Sequence, residues 1–298
     1  MLSIGLIGLG RMGAPIAGRL VAAGHRVTVH DVLAGRAAEA GARGAGWSGT
    51  AAGVAAGADL LLTVLPGAAE VEAAMSDAVL DALPEGAAWI DLSSNSPAAA
   101  APIRRRAVAR GIEVLEAPMG GGPADAEAGQ LRLYVGGDAD VLARYRPVLD
   151  VLAPPERIAH VGGEGAGYTV KLLVNALWFG QAVATAEALL LGQRAGVDPG
   201  LFREVLAAGP AAGEFIRRDL PALFAGDYLA SFGLDRIHDQ LATVVEMARA
   251  HGTPYETAEA VRRIHQQALE RFGPADGELL AVALLEERAG TRLRPAAD

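Results

Sequence analysis

Lys171 is the one lysine among 26 basic residues, all the others being arginine. It stands in the run Gly165-Ala166-Gly167-Tyr168-Thr169-Val170-Lys171-Leu172-Leu173-Val174-Asn175. A guanidinium keeps its proton in a protein, whereas an amine can be tuned to release it. The residue by itself leaves two readings open, an amine that handles protons or a survivor of a compositional bias. A second set of residues points to phosphate binding. Gly8-Leu9-Gly10-Arg11-Met12-Gly13 follows the apolar run Ser3 to Ile7 and precedes the helical pattern Ala14 to Ala23. In that context the glycines allow a tight turn, close approach of a pyrophosphate and close helix packing. Asp31 comes 18 residues after Gly13, where a carboxylate can accept from adenosine ribose hydroxyls and repel a phosphate on that ribose. No arginine stands at Val32 or Leu33. NAD is therefore favoured over NADP, with Arg36 leaving some room for the latter and an ordinary turn as the other reading of Asp31.

Positioning these groups requires two kinds of architecture. In the first half, Ser3 to Ile7, Arg26 to His30, Leu60 to Leu65, Ala87 to Leu92 and Ile112 to Ala117 read as strands alternating with helical stretches, which implies a parallel, doubly wound sheet. Leu131 to Val135 and Arg157 to Val161 extend it around a helix from Val141 to Leu152. The domain is expected to cover residues 1–162. From residue 163 to 298 the reading is all-helical: Tyr168 to Ala195, Pro199 to Ala208, Phe215 to Phe224, Leu234 to His251, Pro254 to Phe272 and Ala275 to Ala289. The first of these, roughly 40 Å long at 1.5 Å per residue, is long enough to join the domains and carries Lys171 near its start.

Composition removes several classes. A net charge of -9 with no basic run beyond Arg104-Arg105-Arg106 argues against nucleic acid, since phosphate neutralisation needs clustered cations; the triplet reads as a solvated helix face. With no cysteine and six scattered histidines, disulfides, thiol nucleophiles and a metal site are not expected. The amino terminus lacks the pattern of a signal peptide, and the most apolar stretch, Leu172 to Leu191, carries Asn175, Gln181 and Glu187. A cytoplasmic protein without a membrane partner is the expectation.

The chain resembles the beta-hydroxyacid dehydrogenases over nearly its whole length. The resemblance rests on Gly8 to Gly13, Leu65-Pro66, Asp91-Leu92-Ser93-Ser94 before Pro97, Ala117-Pro118-Met119-Gly120-Gly121-Gly122 leading to Ala128-Gly129-Gln130-Leu131, and Gly165 through Asn175. It implies a Rossmann domain, a helical domain, a long helix joining them and an active site in the cleft between. Lys171 falls on the family's catalytic lysine, which exchanges the hydroxyl proton while hydride moves to or from the nicotinamide. That role needs its amine lowered from about 10.4, as burial beside Val170 and Leu172 would do. Asn175, one turn on, shares that face and would orient substrate or amine. By the same resemblance Leu65 and Pro66 wall the nicotinamide, Ser93 touches cofactor and substrate, and Gly120, Gly121 and Gly122 hold the substrate. Backbone amides of such a glycine run suit a carboxylate. Ser94 and Pro97 read instead as helix capping. The resemblance further implies a homodimer or higher homo-oligomer, with Leu189 to Leu191 and Leu279 to Leu285 as candidate surfaces.

Two departures concern the substrate. Gly120 replaces the serine of the family's Ser-Gly-Gly loop, removing a hydroxyl donor to a substrate carboxylate. In Phe232-Gly233-Leu234-Asp235-Arg236-Ile237-His238-Asp239-Gln240-Leu241, Asp239 falls on the family's lysine and Gln240 on its aspartate, reversing the local charge. The expectation is an oxidoreductase acting on a small hydroxy acid or aldehyde, whose substrate class has drifted toward a neutral or cationic molecule. Two rival readings are an imine reductase, against which Lys171 counts, and a non-catalytic NAD-binding module, against which Lys171 and Asn175 both count.

Overall fold

A computed structural model describes residues 1–295 and divides into two units, Met1–Lys171 and Leu172 onward. The first unit runs β1 (Ser3–Ile7), α1 (Gly13–Ala22), β2 (Arg26–His30), α2 (Ala37–Ala42), β3 (Gly46–Trp47), α3 (Ala51–Ala55), β4 (Leu60–Thr63), α4 (Ala68–Ala74), α5 (Asp77–Ala82), β5 (Ala88–Asp91), α6 (Pro97–Val108) and β6 (Glu113–Glu116). It continues with β7 (Met119–Gly120), α7 (Pro123–Ala128), β8 (Arg132–Gly137), α8 (Ala139–Leu152) and β9 (Ile158–Gly162). The next helix, α9 (Ala166–Arg194), begins in this unit and runs on into the second.

The sheet order is β3-β2-β1-β4-β5-β6-β8-β7, with β9 paired to β8. Strands β3 through β6 are mutually parallel, as the strand-helix alternation requires. Beyond β6 the sheet is mixed: β8 lies antiparallel to both β6 and β7. The link from β6 to β8 is taken up by β7 and the short α7, and because β7 itself pairs with β8 the chain returns antiparallel rather than crossing over. Two strands escaped the sequence reading, β3 and β7, each only two residues long; so short a run carries no visible alternation.

Both faces of the parallel strands are covered, which explains their near-continuous apolar composition. Ile4, Leu6, Leu60, Leu62 and Ile90 pack with Ile16, Leu20 and Leu149 on one face. Their sequence neighbours Ile7, Leu61 and Trp89 pack with Val54, Val71 and Ile103 on the other. The period-two alternation of the strand backbone distributes the side chains in this way.

The second unit holds the rest of α9, then α10 (Pro199–Ala208), α11 (Leu220–Phe224) preceded by a π-helical turn at Phe215–Asp219, α12 (Leu234–His251), α13 (Glu256–Phe272) and α14 (Leu280–Ala289). By length and composition α9 could cross a membrane. Its Ala182, Ala186, Leu189 and Leu190 are instead spent on an apolar cluster with Phe215, Leu220 and Leu279, and Phe179 packs with Ile237 and Val261. Those contacts pack the middle and C-terminal part of α9 into a core, while Leu173, Val174 and Leu177 near its start are exposed. Of the two stretches considered as oligomer surfaces, Leu189, Leu190, Leu279, Val282 and Leu284 are buried in the unit itself, while Leu191 is exposed and Leu280 and Leu285 are partly buried. The final helix starts at Leu280 rather than Ala275, because Phe232 and Gly277 are joined by a backbone bond that keeps the preceding segment extended.

Candidate active site

The glycine loop between β1 and α1 has three glycines in three situations. Gly8 has φ +102°, and a Cβ there would meet the Val64 carbonyl oxygen at 2.2 Å. A Cβ on Gly13 would meet the Gly8 carbonyl oxygen at 1.9 Å, while one on Gly10 would meet nothing within 4 Å. Gly8 and Gly13 close the turn, and Gly10 leaves open space over it. That arrangement fits a pyrophosphate approaching backbone N–H groups at a helix start. Arg11 is exposed and Leu9 and Gly13 are buried, with Met12 between.

Asp31, just past the end of β2, is tied to the same loop. Its Oδ2 accepts the Leu9 N–H at 2.7 Å and its Oδ1 accepts the Leu33 N–H at 2.8 Å. Arg36 lies beside it, Nε 3.9 Å from Asp31 Oδ2, donating to the Leu9 carbonyl at 2.8 Å and standing 3.6 Å from Glu39. The carboxylate therefore shapes the glycine loop and retains lone pairs for further donors.

At the C-terminal ends of β4 and β5 the polar side chains are buried. Asp91 Oδ1 accepts from the Thr63 hydroxyl at 2.7 Å and the Ser93 N–H at 3.0 Å; Oδ2 accepts from Tyr168 at 2.8 Å and Asn95 at 3.3 Å. Burial pushes the Asp91 pKa up, and these donors work against that rise. Thr63 is itself oriented by the Trp89 indole N–H at 2.9 Å. Ser93 is buried, its hydroxyl accepting the Leu65 N–H at 2.9 Å; Leu65 is partly buried and Pro66 exposed. Ser93 thus holds the Leu65-Pro66 turn in place. The cap position of α6 falls on Ser96 with Pro97 as the first helical residue, and no side chain bonds the helix start, so Ser94 is not the cap that the sequence suggested.

The glycine run lies at the end of β7. Gly121 has φ +106° and leaves room for the Asp125 carboxylate, which a Cβ would meet at 2.9 Å. The Gly122 N–H donates to Asp125 Oδ2 at 2.8 Å, so this amide serves the start of α7. A Cβ at Gly120 would lie 3.3 Å from the Tyr134 hydroxyl and 3.4 Å from Arg132 Cβ.

Lys171 sits in the second turn of α9, partly buried, with Leu172 beside it almost fully buried. The start of that helix is bonded to the sheet: Glu116, at the end of β6, accepts the Gly165 N–H at 2.5 Å and the Tyr168 N–H at 3.3 Å. One turn beyond Lys171, the Asn175 side-chain amide donates to Gln240 Oε1 on α12 at 2.7 Å. Asp239, adjacent on α12, is exposed, 3.7 Å from His238 Nδ1. Arg104, read from sequence as part of a solvated face, is largely covered, 3.1 Å from Glu164 and donating to the Val114 carbonyl at 3.1 Å. Tyr168, Glu116 and Thr63 were missed as candidates. An acid directly following the buried apolar pair Val114-Leu115 at the end of a strand is the signal that could have found Glu116.

Comparison with known proteins agrees with this layout. Residues 3–162 match the family model described as the NAD binding domain of 6-phosphogluconate dehydrogenase. Residues 165–285 match that for the NAD-binding of NADP-dependent 3-hydroxyisobutyrate dehydrogenase. The chain is 33% identical over 256 residues to 2-(hydroxymethyl)glutarate dehydrogenase of Eubacterium barkeri, covering 85% of this chain and 84% of that one. It is 36% identical over 208 residues to a 3-hydroxyisobutyrate dehydrogenase of Pseudomonas aeruginosa, 69% of each chain. The solved structure of Mycobacterium tuberculosis 3-hydroxyisobutyrate dehydrogenase with L-serine superposes with a TM-score of 0.87 at 28% identity, covering 95% of this chain and 99% of that one.

Proposed function

The chain belongs to the beta-hydroxyacid dehydrogenase family and is an NAD(P)-dependent oxidoreductase, and on that footing we propose that Lys171 handles the substrate proton as a small hydroxy acid and its aldehyde interconvert. A bound nicotinamide supplies or accepts the hydride. In the oxidative direction the neutral Lys171 amine takes the hydroxyl proton; in the reductive direction its ammonium returns that proton to the carbonyl oxygen. Asn175, presented from the same helix face one turn on and held by Gln240, orients the substrate or the amine. The backbone of Gly8 to Gly13 holds the pyrophosphate. Leu65, Pro66 and Ser93 border the nicotinamide, and the loop Gly120-Gly121-Gly122 receives the substrate.

One observation carries the reading: the sole lysine lies in the second turn of a helix whose first turn is bonded to the C-terminal ends of the sheet, the end where open α/β sheets bind ligands. NAD is the preferred cofactor, because Asp31 presents a carboxylate and Arg36 is engaged with the Leu9 carbonyl and Glu39. The substrate bears less net negative charge than a simple hydroxy acid. Gly120 offers no hydroxyl, and Asp239 brings an exposed carboxylate next to Gln240. Self-association as a homodimer or higher homo-oligomer completes the proposal.

The test is Lys171→Met beside wild type, titrated with NADH and NADPH and assayed on hydroxy acids, amino-substituted hydroxy acids and aldehydes. The expected loss in kcat is on the order of 100-fold or more, the span of a general acid or base, with cofactor affinity kept. Wild-type rates in the mutant would remove Lys171 from the mechanism. Preference for hydroxyisobutyrate or glycerate over every neutral or cationic member of the panel would remove the shift in substrate charge.

A further inference from the structure

The start of α9 is fastened to the sheet by two buried carboxylates acting on one tyrosine. Glu116 accepts the backbone N–H groups of Gly165 and Tyr168, while Asp91 accepts the Tyr168 hydroxyl at 2.8 Å. Gly167 presses on β8 so closely that a Cβ would meet the Tyr134 carbonyl oxygen at 2.6 Å, and a Cβ on Gly136 would meet the Gly167 nitrogen at 2.6 Å. Backbone contact sets the distance of the helix from the sheet, and Glu116 satisfies N–H groups that a helix start leaves without partners. Both features also turn one face of the helix toward the sheet. Tyr168 narrows that rotation further, because its ring is almost fully buried and its hydroxyl reaches one oxygen of an aspartate already held by Thr63, Ser93 and Asn95.

We propose that Tyr168, held by Asp91 and Glu116, is a positioning residue for Lys171. The two residues are three apart on one helix, and side chains at that spacing lie on neighbouring lines of the same face. Turning the tyrosine inward therefore decides the direction in which the Lys171 amine leaves the helix. A hydroxyl anchored to a fixed acceptor is more exacting than apolar packing, which tolerates small rotations. The proposal rests on the proton role of Lys171, and the experiment separates the two.

Tyr168→Phe removes the hydroxyl and keeps the ring. The expected result is a kcat lower by on the order of tenfold, the cost of a misplaced catalytic group, with cofactor affinity within about twofold of wild type. In the Lys171→Met background, Tyr168→Phe should cost no more than about twofold further, since a residue acting through the lysine has nothing left to position. A full tenfold loss in that background, or wild-type kcat in Tyr168→Phe alone, would overturn the proposal. Because the chain has one lysine, protein labelled with 13C at lysine Cε gives one cross-peak from the side chain in question. That peak should shift or broaden in Tyr168→Phe and in Glu116→Gln, and an unmoved peak in both overturns the positioning role. Should Lys171→Met retain wild-type turnover, the proton role fails while the cross-peak still decides whether Tyr168 orients the amine.

Discussion

Two regions of the first unit use glycine to bring a helix start against a strand end, and they do so for opposite purposes. At the β1–α1 loop, Gly8 and Gly13 are closed by backbone contacts, whereas Gly10 faces open space. The acid serving that loop, Asp31, is only partly buried. At the start of α9, Gly136 and Gly167 each face backbone atoms at 2.6 Å, and the serving acids, Asp91 and Glu116, are buried. The first region is a cradle with one side left for a ligand; the second is a joint with none. A glycine at a ligand site and a glycine at a packing site look alike in sequence. What an added Cβ would strike tells them apart.

The joint should suffer most from a single methyl group. Gly167→Ala forces a Cβ onto the Tyr134 carbonyl and the Gly136 amide, a backbone collision that no rotamer change relieves. The expected loss is about 3 kcal/mol or more of unfolding free energy, read as the urea midpoint, with turnover reduced in whatever protein folds. Wild-type stability in this variant would mean that the helix start is free to back away, and the distinction between joint and cradle would collapse.

A pH titration asks whether burial or partner number governs the cost of a polar group in a closed site. Asp91 is buried with four donors around it. His265, on α13, is buried with its Nδ1–H donated to the Val261 carbonyl at 2.9 Å and its ring edge-on to Phe179. Burial lowers the His265 pKa from 6.5 to about 4, His238 adding to the fall and the Val261 carbonyl opposing it. The folded state thus binds this proton less readily than the unfolded one. The neutral ring's stability is intact above pH 6.5 and is lost as pH drops toward about 4, amounting to on the order of 3 kcal/mol. Histidine ring resonances should show His265 neutral until near pH 4. His265→Gln should flatten the acid limb of stability, and an unchanged slope would assign that limb to other groups.

Much of this was legible beforehand because it depends on local pattern. The bounds of β1, β2, α10 and α12 coincide with the sequence reading, since each is framed by glycine, proline or a capping residue and carries a regular apolar period. The antiparallel β8 was not legible as such, because direction depends on which strand accepts it, a long-range choice. Glycine spacing exposed the cradle. The joint was hidden: Asp91, Glu116 and Tyr168 are 25 and 52 residues apart in sequence, and the network exists only where three strand ends meet one helix. Gly122 shows the converse limit, since a glycine run suggests free amides while its N–H is given to Asp125.

The cradle invites the opposite experiment to the joint. Gly10→Ala adds a Cβ that meets nothing within 4 Å, so the protein should fold with an unchanged urea midpoint. The methyl would occupy space that the pyrophosphate needs. NADH affinity measured by fluorescence titration should weaken by about tenfold, or 1.4 kcal/mol. Lost stability together with kept affinity would exchange the roles assigned to the two glycine sets.

The smallest effect is expected at Gly120, which belongs to neither class cleanly. A Cβ there lies 3.3 Å from the Tyr134 hydroxyl and 3.4 Å from Arg132 Cβ, tight but against side-chain atoms, one of them the far end of a tyrosine. Gly120→Ser should therefore be accommodated by a small shift of Tyr134 and should present the hydroxyl that the resemblance led one to expect. A hydroxyl donating to a charged carboxylate contributes about 1.5 kcal/mol, the low end for a bond to a charged group in a partly exposed loop, so KM for a carboxylate substrate such as hydroxyisobutyrate should fall by up to about tenfold while that for an uncharged analogue stays put. Equal changes for both substrates would mean that the new hydroxyl does not face a carboxylate. The loop would then act as a turn supporting α7.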